Sequence, residues 1–147
     1  MTKKGFVVIV SVLTVAVLLA GCGRPSTVRE YMEANPGTFE EFQSDMQTEA
    51  RQMSRVFGAE ILVDVELVGD HEIAVIFVFN DPNFLIETDS GALLADAITQ
   101  GLDADTELQH EMAAGARNAM RVNTLYFTHR YLDINGNVLA ERTFAGQ

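Results

Sequence analysis

The first 22 residues withdraw from any fold the most apolar stretch of the chain and its only cysteine. Lys3 and Lys4 supply positive charge at the start, and an apolar run from Phe6 to Ala20 follows, broken only by Ser11 and Thr14. Small residues, Ala20 and Gly21, then stand directly before Cys22. A charged start, a short apolar stretch and small residues at a cut are the anatomy of a secretory signal peptide. The run is shorter than the about 20 residues a helix needs to cross the hydrocarbon core of a bilayer. The expected organisation is therefore a signal peptide over residues 1–21, a modified cysteine with a short tether over 22–26, and one α+β domain over 27–147.

Leu19-Ala20-Gly21-Cys22 resembles the bacterial lipobox, which implies diacylglycerol on the Cys22 sulfur and cleavage just before that residue. The first partner expected is thus the membrane, reached through the lipid on Cys22, with the domain on the extracytoplasmic face. In a cell with a second membrane the protein would face the periplasm. There Gly23, standing where a retention signal has aspartate, implies transfer to the outer membrane. Two acyl chains anchor stably where one is marginal. Only Gly23, Arg24 and Pro25 precede the first structured residues, and at about 3.5 Å per residue such a tether keeps the domain close to the bilayer.

Composition narrows the partners. Every one of the 21 acidic residues follows Cys22, whereas Lys3 and Lys4 are the only lysines. The processed chain of 126 residues then carries eight arginines against 21 acids, a charge of −13. That balance excludes nucleic acid, whose binding rests on cationic neutralisation of phosphate. It also opposes lying flat on anionic lipid. With Cys22 acylated no disulfide can form, so stability must come from packing.

Thr27 followed by Glu30 reads as a capping box opening a short helix that ends near Ala34, and Asn35-Pro36-Gly37 breaks the chain. Thr38 with Glu41 repeats the capping signal. Phe39, Phe42, Met46, Ala50, Met53 and Phe57 recur at spacings of three and four, one face of an amphipathic helix, with Gly58 as its stop. Ile61, Val63, Val65 and Leu67 alternate with Asp64 and Glu66, as in a half-buried strand. Gly69-Asp70-His71 turns the chain into an interior strand from Ile73 to Phe79. A helical region from Asp89 or Ser90 to Met120 follows, interrupted between Gly101 and Asp105. Its inward residues are expected to be Leu93, Leu94, Ala97 and Ile98, then Leu108, Met112, Ala116 and Met120. Val122 to Leu132 reads as a strand, Asn135-Gly136 as a tight hairpin with positive φ angles, and Val138 to Phe144 as the last strand.

The expected fold is α+β in αββαββ order, an antiparallel four-stranded sheet with helices on one face. Met46, Ala50, Arg51 and Val56 meet the same residue types 66 positions on, at Met112, Ala116, Arg117 and Val122, so a tandem helix–hairpin duplication is one reading. Chance likeness between two amphipathic helices is the other. With its lipobox, and with Tyr131, Asp133 and Gly136 before Val138-Leu139 and Phe144, the chain resembles a family of short bacterial lipoproteins known only as a domain of unknown function. The resemblance implies fold and anchoring and brings no activity.

Chemical motifs are few. His110-Glu111 begins like a zincin signature, but Ala114 stands where the second histidine belongs. His71 and His129 have no second ligand nearby in sequence. Asp133, Asn135 and Asn137 imitate the start of a calcium loop that then fails at Val138 and Phe144. Asp64 with Glu66, or Asp103 with Asp105, pair carboxylates, and a solvated face explains them. No cofactor, metal or catalytic residue is assigned. If the helices cover the Phe127 face, then Thr124, Tyr126, Thr128 and Arg130 lie on the open one, and Tyr126 and Arg130 become the candidate surface for an envelope protein partner. A non-enzymatic binding or structural module is the expected function. The alternative is an envelope hydrolase whose acids assemble only in the fold.

Overall fold

The computed structural model describes residues 25–147; the signal segment and Cys22 lie outside that range. Thr27 caps α1 (Val28–Ala34) with the full capping box: its hydroxyl accepts from the Glu30 N–H while the Glu30 carboxylate reaches back. Asn35 then serves as C-cap of α1 and N-cap of α2 (Pro36–Phe57). Pro36 thus occupies the first helical position, where its missing N–H has no partner to lose. The second capping signal is overturned for this reason, because Thr38 already lies inside α2. Gly58, at φ 66°, ends α2 in the left-handed region that glycine adopts without strain.

Strands β1 (Ile61–Val68) and β2 (Glu72–Phe79) form an antiparallel hairpin. A 3-10 turn, Pro82–Phe84, leads to α3 (Asp89–Ala104) and α4 (Thr106–Met120), and β3 (Leu125–Leu132) and β4 (Val138–Gly146) complete the chain. The sheet order is β1-β2-β3-β4. α2 packs on β1, while α3 and α4 pack on β4, all on one face. The inward residues of β1 to β3 are odd-numbered: Phe127 meets Phe42 of α2 at 6.0 Å between ring centroids, and Phe77 stacks on Tyr131 at 5.1 Å. One continuous core runs between the layers.

The class is α+β, but the sheet is mixed, which overturns the antiparallel expectation: β2 pairs with β3 in parallel. The physical cause is the crossover. α3 and α4 are separated only by Asp105, so they do not fold back as a hairpin. Together they return the chain to the end where β2 began, and a parallel pair requires a crossover of that kind. The helix count corrects the expected order as well, to ααββααββ.

Parallel pairing also overturns the tandem repeat. β1 runs opposite to β3, so the second hairpin is not the first one translated across the sheet. β3 lies in the interior while β1 is an edge, which excludes rotation about the sheet normal. Since a chiral unit with its helix on the same face has no third way to repeat, the shared residue types reflect two amphipathic helices rather than one duplicated unit.

Two smaller readings change. The stripe of α3 is Leu94, Ala95, Ile98 and Leu102, and that of α4 is Gln109, Ala113, Ala116 and Met120; Leu93 is 70% exposed and Leu108 46%. Ala97 is exposed too. Leu94, Ile98, Ala116 and Met120 are inward as expected, while Ala95, Leu102, Gln109 and Ala113 take the places expected for Leu93, Ala97, Leu108 and Met112. In the β3–β4 turn only Gly136 has positive φ, 84°, so a turn closed by Gly136 N–H to Asp133 C=O (2.9 Å) replaces the mirror-image turn expected.

Candidate functional site

Nothing among the described residues covers the second face of the sheet, and strand register organises it into four rows. The first is Leu62, Val78, Leu132 and Val138, one aliphatic residue from each strand. The next is Asp64, Ile76, Arg130 and Glu141; then Glu66, Ala74, Thr128 and Thr143; then Val68, Glu72, Tyr126 and Ala145. These residues share a face because side chains alternate along each strand, and a register shift in β4 that skips Leu139 sets Val138 opposite Leu132. At the two edges of the aliphatic row, Leu62 and Val138 are 50% and 51% exposed.

The expected placement of Tyr126 and Arg130 on this face holds: Tyr126 is 40% exposed and Arg130 half-buried. Arg130 is not a free cation. Its guanidinium donates to the Glu141 carboxylate across the β3–β4 pair, and this bond raises its already high pKa further. Thr128 is buried, although on the open face, between hydrogen bonds to Glu72 (2.6 Å) and Thr143 (2.8 Å). These bonds stiffen the face beneath Tyr126. Within the four strands the face holds four carboxylates, Asp64, Glu66, Glu72 and Glu141, against the single guanidinium of Arg130.

The residues that sequence reading tested for chemistry are dispersed. His110 Nδ1 lies 2.9 Å from the Ala145 carbonyl, beside β4. His129 is buried on the helix side with both ring nitrogens unpartnered, and burial pushes its pKa down to about 4. The two rings each lie 5.6 Å from Phe144, edge-on to it. His71 sits in the β1–β2 turn. Asp133 spends its carboxylate on the turn: Oδ1 accepts from the Asn135 and Asn137 N–H groups, and Oδ2 from Ile86 N–H and the Asn137 amide. Burial opposes its ionisation, but those bonds outweigh it and hold the pKa below the usual range. Asp103 pairs with Arg142 at 2.9 Å. Among the described residues, no three His, Cys, Asp or Glu side chains are grouped as metal ligands.

Sequence reading missed two features. The aliphatic row requires the register of all four strands, of which only the two hairpins leave a local signal. A groove of about 550 Å³ between α2 and the outer edge of β1, lined by Arg51, Arg55, Ser54, Glu60 and Ile61 to Val63 among others, requires knowing that β1 is an edge.

No helix among the described residues is long and apolar enough to cross a membrane. Comparison with protein-family models, with curated proteins and with solved structures finds no match.

Proposed function

We propose that the protein is a lipid-anchored binding module of the bacterial envelope, tethered through Cys22 and engaging an envelope protein with its open sheet face. The observation that carries this reading is the row Leu62, Val78, Leu132 and Val138, an aliphatic strip across four strands with no layer over it. An exposed apolar strip rimmed by polar residues marks an interaction site more often than an ordinary surface. The partner it suits has aliphatic or aromatic contacts for the strip and net positive charge opposite Asp64, Glu66, Glu72 and Glu141. Tyr126 is the aromatic anchor of the far row, and the Arg130–Glu141 pair fixes the surface between them.

The anchor rests on Lys3, Lys4, the apolar run and Leu19 to Cys22. Mass spectrometry of the membrane fraction tests it: the expected product begins at diacylglyceryl-Cys22, and an intact chain from Met1 contradicts it. Crosslinking and pull-down of the lipidated protein test the surface. Tyr126→Ala with Arg130→Ala is expected to lose the recovered partner while the fold persists. Recovery unchanged by that double substitution places the site elsewhere.

A further inference from the structure

We infer that the groove between α2 and the free edge of β1 is a second binding site, which takes an extended polypeptide segment as a fifth strand and holds its acidic side chain on Arg51 and Arg55. Backbone hydrogen bonding locates the vacancy. Asn80 N–H donates to Glu60 C=O at 2.9 Å, so the alternation of an antiparallel pair turns the N–H and C=O groups of Ile61, Val63, Val65 and Leu67 away from β2.

Most of that edge is blunted by the protein's own side chains. Ser54 Oγ accepts from Ile61 N–H at 2.9 Å, Asp64 Oδ1 from Val65 N–H at 2.9 Å, and Arg29 donates to Leu67 C=O at 3.1 Å. Val63 keeps both groups open, and it lines the groove. An edge residue with donor and acceptor both unmet is a template for strand addition.

Charge selects the occupant. Arg51 and Arg55 lie one helical turn apart on the wall facing this edge, and neither has an ion-pair partner among the described residues. Arg29, Arg130 and Arg142 are all paired with acids. A strand laid along Val63 alternates its side chains, so those toward α2 meet the two guanidinium groups and those toward the open face meet Leu62, half exposed. The segment that fits has carboxylates on one side and apolar residues on the other. A second copy pairing through β1 suits the edge poorly, because in an antiparallel pairing centred on Val63 Glu60 of each copy opposes Glu66 of the other.

The test uses the full chain, lipidated and held in detergent micelles, with two synthetic heptapeptides, one alternating valine and glutamate and the other valine and lysine. The glutamate peptide is expected to bind and to shift the amide resonances of Ile61 to Val65 and of the Gln47–Arg55 stretch. Arg51→Gln with Arg55→Gln is expected to weaken it at least tenfold, and the lysine peptide to bind at least tenfold more weakly than the glutamate one. Val63→Pro removes the outward N–H at a position where an edge strand tolerates proline, and is expected to abolish binding with circular dichroism unchanged. Should Val63→Pro unfold the chain, N-methylation at the matching peptide position removes the reciprocal bond of the same pair, from the peptide N–H to Val63 C=O, and is expected to abolish binding too. Absence of binding, equal affinity for the two peptides, or indifference to the arginine substitutions overturns the proposal. So does concentration-dependent dimerisation through β1 that excludes the glutamate peptide.

Discussion

The Asp133 carboxylate accepts a hydrogen bond from the backbone N–H of Ile86 at 3.1 Å, across 47 residues of sequence. It joins the β3–β4 turn to the segment between the 3-10 turn and α3, while the same side chain holds Asn135 and Asn137. One buried carboxylate thereby ties the start of the crossover, just past β2, to the far end of β3, the strand that runs parallel beside β2.

Replacing that carboxylate leaves several N–H donors unmet in a buried place. Hydrogen bonds to a charged group are worth about 1.5–3 kcal/mol each and do not add fully. Asp133→Ala is expected to cost about 2–4 kcal/mol in urea unfolding, and a loss below half a kcal/mol contradicts the tie. Because the native state holds this carboxyl ionised more firmly than the unfolded chain does, its contribution is present above the ordinary carboxylate range and is lost as pH falls through the lowered native value.

Core burial sets the next expectation. Phe42 is 1% exposed and Phe77 0%, on α2 and β2. Truncating either to alanine is expected to cost about 3–5 kcal/mol, through lost apolar contact plus the cavity left behind. Equilibrium unfolding measures this directly.

These core positions were legible in the sequence because Phe42 lies on a helical apolar stripe and Phe77 in a strand apolar on nearly both faces. The capping box at Thr27, the stop at Gly58 and the turn at Gly69 were legible too, since each is fixed by residues within a few positions. The parallel β2–β3 pair was not. It depends on whether α3 and α4 fold back on each other, and Asp105 sends no local signal that decides it. The open face followed from alternation along β3 once Phe127 was assigned to the core, which put Tyr126 and Arg130 on the other side. The aliphatic row stayed hidden because it is a property of four registers at once.

A left-handed residue without a Cβ-free backbone marks the end of α4. Arg121 has φ 58° at that C-cap, where α2 has Gly58. Arg121→Gly relieves the Cβ crowding of this conformation and is expected to raise stability by about 1 kcal/mol, read as a higher urea midpoint. A fall in the midpoint shows that the Arg121 side chain makes a compensating contact.

Two interior groups link stability to pH in opposite directions. Burial raises Glu49 to about 7, with its Oε2 sealed and unpartnered, and lowers His129 to about 4. For Glu49, the unfolded chain loses its proton near the ordinary 4.5 while the native state keeps it, so stability falls as pH rises from there to about 7. For His129, the unfolded chain gains a proton below the ordinary 6.5 that the native state refuses until about 4, so stability falls as pH drops across that window. Glu49→Gln is therefore expected to raise the melting temperature more at pH 8 than at pH 4.5. His129→Phe is expected to flatten the loss on the acid side. Melting curves from pH 4 to 8 separate the two, and identical shifts at all pH values contradict the assignment.

On the proposed function, the open sheet face and not the helix face meets an envelope partner. Placing a photo-crosslinking residue at Tyr126 in one lipidated protein, and at the more exposed helix position Leu93 in another, tests it in the native membrane. The expected result is one protein crosslinked reproducibly from position 126 and absent from position 93. The same products from both positions, or crosslinks from 93 alone, contradict a partner surface on the open face.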